Sequence, residues 1–198
     1  ATMRQGASAT LIVGGQRSGK SGHAERLGLA WLKADPGRSV CVLATAQASD
    51  ADMARRIARH RADRPESFAT VEVPLALGEQ IRVLAQPGRL LLVDCLTLWL
   101  TQVLMPHEGS GDGDGLSDAQ WQAIKADFLD ALDHARQVQA AVVLISNEVG
   151  WGVIPMGAGV RHFVDELRRL NQDVARRCDV LTLMVAGQAW SRPVEASP

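Results

Sequence analysis

The chain has 198 residues, of which 46% are hydrophobic and 22% charged, and its formal net charge is −1. This length favours one globular domain, and the near-zero charge argues against nucleic acid or an anionic membrane as partner. The apolar runs are too short to span a bilayer, and the N-terminus lacks the apolar core of a signal peptide. We expect a disordered lead-in over residues 1–9, one domain over 10–187 and a tail over 188–198.

Short β-branched apolar runs alternate along the chain with longer segments of helical period. The expected elements in chain order are a strand at 10–15, a helix at 21–33, a strand at 39–46, a helix at 50–62, a strand at 69–74, a helix at 77–85, a strand at 89–95, helices at 96–105 and 117–137, a strand at 140–148, a helix at 160–178 and a strand at 179–187. Ser117 followed by Gln120 is a capping-box signal for the long helix. Nearly continuous apolar strands separated by helices predict an α/β fold, with a mostly parallel sheet flanked by helices.

Residues 106–117, PHEGSGDGDGLS, interrupt this alternation. Asp112 and Asp114 alternate with glycine, but the glycine and terminal glutamate spacing of a calcium-binding EF-hand loop is missing. We therefore expect a flexible surface insertion over about 106–116 and assign no function to it.

Cysteine usage indicates the compartment. Cys41, Cys95 and Cys178 are far apart, each lies in or beside an apolar segment, and no two have metal-ligand spacing. We therefore expect reduced thiols in a cytoplasmic protein.

The segment GGQRSGKS carries the strongest functional signal. Gly14, four further residues and then Gly19-Lys20-Ser21 match the P-loop pattern between a predicted strand and a predicted helix. The glycines let the backbone turn so that its N–H groups and the helix N-terminus face a phosphate. Lys20 is expected to reach the β- and γ-phosphates, and Ser21 to bind Mg²⁺. The alternative is a glycine-rich turn without a ligand.

Two acids follow apolar strands, at the edge where parallel sheets bind ligands. Asp94 closes RLLLVD and is the candidate metal-linked acid on a strand neighbouring the P-loop strand; alternatively it caps the next helix. Glu148 closes AVVLISNE, before a glycine-rich loop that could move over a substrate. It is a candidate general base or holder of a Mg²⁺-bound water; alternatively it caps the loop. Together these features indicate a nucleotide-binding protein that handles phosphoryl groups.

Four segments resemble one family. They are VGGQRSGKSGHAE (13–25), LATAQASDADMARRIARHRADRP (43–65), SNEVGWGVIP (146–155) and RHFVDELRRLNQDVA (161–175). In this order they resemble the bifunctional adenosylcobinamide kinase / adenosylcobinamide-phosphate guanylyltransferase family of cobalamin biosynthesis, over about residues 11–185. The P-loop is shared by many proteins, whereas the combination is specific.

The resemblance implies two reactions. The hydroxyl of adenosylcobinamide receives the γ-phosphoryl group of ATP or GTP. The resulting phosphate then receives GMP from GTP through a guanylylated histidine, which gives adenosylcobinamide-GDP and pyrophosphate. A RecA-like P-loop core and a homotrimer are also implied.

The guanylylated histidine of the family falls on His60. The implied nucleotide contacts are Gly14, Gly15, Gln16, Arg17, Ser18, Gly19, Lys20 and Ser21 in the P-loop, Ala44, Thr45 and Ala46, then Arg61, Ala62, Asp63 and Arg64, and finally Glu72 and Asp94.

The helical period predicts which way the side chain of His60 faces. At 100° per residue, Met53, Ile57, His60 and Arg64 share one stripe, so His60 is expected to face the protein rather than solvent. A solvated basic helix face and a hydrogen-bonded core histidine are the alternatives. Ten helical residues carry His60 about 15 Å along the axis. If the helix leads away from the P-loop, His60 lies too far from nucleotide bound there.

We favour movement of this helix on nucleotide binding; completion of the site by a neighbouring subunit and a second GTP pose are the other solutions. Two rival functions remain. One is a P-loop kinase of another small alcohol, and the other is a RecA-like ATPase or binding module without guanylyl transfer.

Overall fold

Seven strands and six helices alternate along the parts of the chain that the structure, a computed structural model, describes: residues 8–47, 51–104, 116–148 and 157–195. The strands are β1 (Ala9–Gly14), β2 (Ser39–Ala44), β3 (Ala69–Glu72), β4 (Arg89–Asp94), β5 (Ala141–Asn147), β6 (Val180–Val185) and β7 (Gln188–Pro193). The helices are α1 (Lys20–Ala34), α2 (Ala51–Asp63), α3 (Leu77–Leu84), α4 (Leu96–Leu104), α5 (Asp118–Gln137) and α6 (Ala158–Arg176).

The strands form one sheet in the order β3-β2-β4-β5-β1-β6-β7. All neighbouring pairs are parallel except β6 and β7, which are antiparallel. The predicted α/β fold with a mostly parallel sheet flanked by helices is therefore confirmed. Because the strands are parallel, their carboxyl ends share one edge of the sheet, and the predicted phosphate-handling residues follow those ends.

The two faces of the sheet bury separate hydrophobic clusters. In β4, Leu91 and Val93 pack with α3, α4, α5 and α6, while Leu90 and Leu92 pack with Ala24 and Trp31 of α1. The alternation follows from the two-residue period of a strand, and both faces are apolar because both are covered. Every side chain on a strand can therefore be assigned to the α1 face or to the opposite face.

Helix α5 begins as its sequence signal predicts. The Ser117 hydroxyl accepts the Gln120 N–H at 3.2 Å, and the Gln120 side chain accepts the Ser117 N–H at 2.8 Å, which completes a capping box. No helix within the described ranges is long and apolar enough to cross a membrane.

The C-terminal boundary differs from the sequence prediction. Residues 188–198 were expected to be a tail, whereas Gln188–Pro193 form β7 at the edge of the sheet. A tight turn connects β6 to β7, with positive φ at Ala186 and Gly187. All six residues of β7 are exposed, so the strand lacks the burial alternation by which sequence analysis detects strands.

The two other segments predicted to be irregular lie mainly outside the described residues. The lead-in over 1–9 overlaps the structure only at residues 8 and 9, and Ala9 already begins β1. The insertion over 106–116 overlaps it only at Leu116, which is exposed.

Candidate nucleotide-binding and guanylylation site

The P-loop joins β1 to α1 between Gly14 and Lys20. Gly19 precedes the helix with φ of 99°, a left-handed conformation that favours glycine. At Gly14 the neighbours exclude a side chain, because a Cβ would lie 2.7 Å from the Met184 carbonyl oxygen and 2.6 Å from the Ser18 Oγ. The loop therefore needs glycine at both ends, and the N–H groups of the first turn of α1 remain available to an anion.

Lys20 is buried inside this loop. Its Nζ donates to the carbonyl oxygens of Gly14 at 3.1 Å and Gly15 at 2.5 Å. Burial lowers the pKa of Lys20, while negative charge at Cys95 and Asp94 opposes that shift. Lys20 therefore shares an electrostatic environment with Asp94, the acid that the sequence singled out.

Asp94 ends β4, but β4 does not neighbour the P-loop strand. Strand β5 lies between β4 and β1, which corrects the expectation of adjacent strands. Two strand spacings of about 4.8 Å therefore separate the two backbones. The Asp94–Cys95 peptide bond is cis. Thr45 holds it, since its Oγ1 donates to the Cys95 carbonyl at 2.7 Å and accepts the Cys95 N–H at 2.9 Å.

Glu148 follows β5 and therefore lies directly beside the P-loop strand. Its backbone N–H donates to the Gly14 carbonyl oxygen at 3.0 Å, the same oxygen that accepts from Lys20. The glycine-rich loop after Glu148, expected to move over a substrate, lies outside the described residues. The strand-edge position predicted for Glu148 is confirmed by this geometry, while its chemical role stays a prediction.

A pocket lies between helix α2 and the α1 face of the sheet. Ile57, His60, Arg61 and Arg64 line the pocket from the helix and its end. The sheet contributes residues whose side chains share the α1 face: Ala44, Thr70, Glu72 and Asp94. The pocket therefore brings the candidate histidine, His60, together with the strand-end acid Asp94.

His60 faces the side of α2 that the helical period predicts, but its side chain is more exposed than expected. His60 lines the pocket together with Ile57 and Arg64, as the stripe predicted. Met53, Ile57 and Arg64 are half-buried, whereas His60 is exposed. The alternative of a hydrogen-bonded core histidine is therefore wrong, because the imidazole is accessible from solvent.

The last turn of α2 lies at the carboxyl edge of the sheet. Arg64 is 3.5 Å from Asp94, and Arg61 is 3.3 Å from Glu72. The condition under which His60 would lie too far away, a helix that leads away from this edge, is therefore not met, because the end of α2 contacts two strand-end carboxylates there. Movement of α2 on nucleotide binding stays a prediction.

Glu25 is a member of this charged cluster that the sequence analysis missed. It lies on α1, five positions after Lys20, and is half-buried. Burial raises the pKa of Glu25, Arg64 and His60 lower it, and Asp94 and Asp63 raise it. Charges from α1, α2 and β4 therefore act on one another at this edge. Glu25 is the last residue of VGGQRSGKSGHAE, one of the segments that resemble the family, and this position was its only indication in the sequence.

The remaining predicted nucleotide contacts surround the same edge. Gln16 and Arg17 are exposed in the P-loop, Ala62 and Asp63 are exposed in the last turn of α2, and Ala46 lines the pocket. The structure thus gathers the predicted nucleotide contacts, which come from five separate stretches of the sequence, at the carboxyl edge of the sheet.

These features define a P-loop nucleotide-binding protein. A strand leads into a glycine loop that closes around a buried lysine, and an acid lies at the carboxyl edge of the same parallel sheet. The family model described as cobinamide kinase / cobinamide phosphate guanyltransferase matches residues 10–191. The chain belongs to this family.

Curated relatives cover most of the chain. The bifunctional adenosylcobalamin biosynthesis protein CobP of Pseudomonas aeruginosa is 44% identical over 180 residues, which cover 89% of this chain and 92% of the relative. The bifunctional adenosylcobalamin biosynthesis proteins CobU of Escherichia coli and Salmonella typhimurium are 38% and 35% identical over 178 residues. In both comparisons the match covers 89% of this chain and 95% of the relative.

Proposed function

We propose that the protein is a bifunctional, nucleoside-triphosphate-dependent kinase and guanylyltransferase of cobalamin biosynthesis. It phosphorylates adenosylcobinamide with ATP or GTP and then transfers GMP from GTP to adenosylcobinamide phosphate. The products of the second reaction are adenosylcobinamide-GDP and pyrophosphate. The observation that carries this proposal is the pocket that His60 and Asp94 line together, with Asp94 close enough to Lys20 of the P-loop to oppose the lowering of the lysine pKa by burial.

In the kinase step the P-loop holds the triphosphate and Lys20 stabilises charge on the transferred group. Lys20 is suited to this because its ammonium is fixed by the Gly14 and Gly15 carbonyls. Glu148 is the proposed general base, or the residue that orients a metal-bound water, since its N–H binds the Gly14 carbonyl beside Lys20. The substrate hydroxyl oxygen bonds to the γ-phosphorus, the bond to the β–γ bridging oxygen breaks, and the hydroxyl proton leaves to the base.

Mg²⁺ is the proposed cofactor, held by Ser21 and Asp94. A hydroxyl and a carboxylate are oxygen donors suited to this hard cation. Within the described residues no three His, Cys, Asp or Glu side chains form a metal-binding group, so phosphates and waters would complete the coordination, as is usual for Mg²⁺. When bound, the ion neutralises charge on the triphosphate.

In the guanylyl step His60 is the proposed nucleophile. A neutral imidazole nitrogen attacks the α-phosphorus of GTP, a nitrogen–phosphorus bond forms, and pyrophosphate leaves. An oxygen of adenosylcobinamide phosphate then attacks the same phosphorus, and the bond to His60 breaks. Arg61 and Arg64 line the pocket with His60 and supply positive charge for the phosphates.

Covalent labelling tests the guanylyl step. The protein is incubated with α-labelled GTP and Mg²⁺, and we expect a label that is labile to acid and stable to alkali, as for a histidine phosphoramidate. His60→Ala should lack the label. His134→Ala, a half-buried histidine of α5 outside the pocket, should retain it.

Transfer of γ-labelled phosphate to adenosylcobinamide tests the kinase step separately. No covalent label together with phosphorylated adenosylcobinamide would reduce the function to a kinase. Phosphorylation of another small alcohol in preference would favour the first rival function, and ATP hydrolysis without any transfer would favour the RecA-like ATPase.

We also propose that the enzyme works in the cytoplasm as a homotrimer, as the resemblance implies. Cys41, Cys95 and Cys178 are free thiols, which supports a reducing compartment. Light scattering after size-exclusion chromatography should give three times the chain mass, and a monomer or dimer would overturn the assembly.

A further inference from the structure

Strand β5 extends past its neighbour β4 at the carboxyl edge of the sheet. The last pair between them joins Ile145 to Asp94, whereas β5 continues to Asn147, which pairs with Gly14 of β1. The backbone groups of Asn147 that point towards β4 therefore have no strand partner. Such groups need hydrogen bonds from elsewhere, because unpaired backbone polar groups are costly away from water.

Two side chains take the place of the missing strand. Thr97 of α4 accepts the Asn147 N–H with its Oγ1 at 3.0 Å. Asn171 of α6 donates its Nδ2 to the Asn147 carbonyl oxygen at 3.0 Å. The Asn171 Oδ1 accepts from the Ser146 Oγ at 2.6 Å, so one buried amide binds two consecutive residues of β5. Helices α4 and α6 thus continue the hydrogen-bond ladder by one residue.

On its other side the end of β5 binds the P-loop. The Glu148 N–H donates to the Gly14 carbonyl oxygen at 3.0 Å, and Lys20 donates to the same oxygen at 3.1 Å. The backbone between Asn147 and Glu148 is therefore fixed from both sides, by two helices and by the phosphate loop. A displacement of this backbone moves Glu148 relative to Lys20.

We propose that Thr97 and Asn171 are positioning residues for the phosphoryl-transfer step, which hold Glu148 at its working distance from the P-loop. The inference rests on the proposed function, in which Glu148 acts in the kinase reaction. Thr97 and Asn171 act through the backbone of Asn147. A misplacement of about 1 Å in a reacting group can cost on the order of 100-fold in rate, so small shifts of this backbone are measurable.

The matched variants are Thr97→Val, which removes the acceptor at nearly unchanged volume, and Thr97→Ser, which keeps it. We expect Thr97→Val to lower the kcat of adenosylcobinamide phosphorylation by about tenfold, with the KM for ATP changed by less than about threefold. Thr97→Ser should stay within about twofold of the unaltered protein. Asn171→Asp, which replaces the donor with an oxygen facing the Asn147 carbonyl, should resemble Thr97→Val. Equal losses in Thr97→Ser and Thr97→Val would overturn the proposal.

A double-mutant cycle separates positioning from general damage. If Thr97 acts through Glu148, adding Thr97→Val to Glu148→Gln should lower kcat no further. Multiplied losses in the double variant, or a fully active Glu148→Gln, would overturn the inference.

Hydrogen exchange over residues 141–148 provides a readout that needs no activity. Thr97→Val and Asn171→Asp should exchange faster there, and Thr97→Ser should not. Unchanged exchange in both disruptive variants would contradict the proposal. If the unaltered protein does not phosphorylate adenosylcobinamide, the proposed function fails and the link to Glu148 chemistry fails with it, while the exchange data still decide whether the two side chains hold this backbone.

Discussion

The guanidinium group of Arg64 lies 3.5 Å from the carboxylate of Asp94, and the two side chains are 11% and 20% exposed. A second ion pair involves the same helix, between Arg61 and Glu72 at 3.3 Å, but those side chains are 58% and 64% exposed. Since α2 has no fully buried residue, we expect ion pairs to contribute to its placement. The sheltered pair should dominate, because exposed pairs are screened by water and contribute little.

Substitution of the two arginines tests this ranking. We expect Arg64→Gln to raise the hydrogen-exchange rate of α2 amides by about fivefold or more, which corresponds to a loss of about 1 kcal/mol in local stability. Arg61→Gln should change the exchange of α2 by less than about twofold, since its pair is exposed. Similar exchange rates in the two variants would show that the Arg64 pair does not hold the helix.

Nucleotide binding should alter the placement of α2. Asp94 is both the partner of Arg64 and the proposed Mg²⁺-linked acid. A bound Mg²⁺-nucleotide would therefore interact with the same carboxylate as Arg64. We expect Mg²⁺-GTP to change hydrogen exchange in α2 more than in α5, which is anchored in the core by buried side chains such as Trp121, Phe128 and Leu132. An exchange pattern of α2 that is the same with and without nucleotide would argue for a static helix.

The glycines of the P-loop provide a matched pair for stability. A Cβ at Gly14 would lie 2.7 Å from the backbone oxygen of Met184, whereas a Cβ at Gly15 has no neighbour within 4 Å. Gly14→Ala should therefore displace β6 or the loop and lower the free energy of unfolding by about 1–3 kcal/mol. Gly15→Ala should lower it by less than about 1 kcal/mol. Urea unfolding measures both, and a smaller effect at Gly14 than at Gly15 would contradict the packing argument.

Local patterns in the sequence predict most of the fold. Apolar runs and helical periods are patterns among neighbouring residues. Of the thirteen elements in the part of the chain that the structure describes, twelve are therefore found where expected, with bounds that differ by at most two residues. Strand β7 was missed because its stability comes from hydrogen bonds to β6 rather than from buried side chains. The order of strands was also beyond local reasoning, and this is why Asp94 was expected on a strand adjacent to β1.

The sequence predicts those residues of the site that belong to a motif or follow directly after a strand. The P-loop, Asp94 and Glu148 lie next to strand ends, where chain order and spatial position coincide. Thr97 and Asn171 were missed because their partner, Asn147, is distant in sequence and is contacted through its backbone. One signal was available: Asn171 is a polar residue among Leu167, Leu170 and Val174 on the buried stripe of α6. Such a residue needs an internal hydrogen-bond partner.

Thr45 should matter for the strand edge that carries Asp94. Its side chain is buried and makes two hydrogen bonds to the backbone of Cys95, as acceptor and as donor. Thr45→Val removes both and leaves the part-buried Cys95 N–H without this acceptor, while the Cys95 carbonyl keeps the Trp99 N–H at 3.3 Å, so we expect a loss of about 1–3 kcal/mol in the free energy of unfolding. Thr45→Ser keeps both bonds and should lose less than Thr45→Val. Equal unfolding midpoints for the two variants would show that the hydrogen bonds contribute nothing.

Cys178 should make stability depend on pH in the alkaline range. Burial raises the pKa of its thiol from 9.0 to about 12, and the negative charge of Asp179 adds to the shift. Between these values the unfolded chain loses the thiol proton while the folded chain keeps it, so stability falls as pH rises above about 9. The expected slope from this thiol is about 1.4 kcal/mol per pH unit. Below pH 8 the thiol is protonated in both states and contributes no slope.

Cys178→Ala removes the contribution of this thiol to the pH dependence of stability. Comparison with the unaltered protein therefore separates that contribution from those of other titrating groups. Urea unfolding in reducing buffer between pH 8 and 10.5 should show the free energy of unfolding of the unaltered protein falling more steeply than that of the variant. The stability difference between the two proteins should therefore narrow with rising pH, and reverse where the ionisation term exceeds the cost of the lost packing. Parallel curves over this range would mean that the folded thiol ionises as readily as the unfolded one, which is incompatible with its burial.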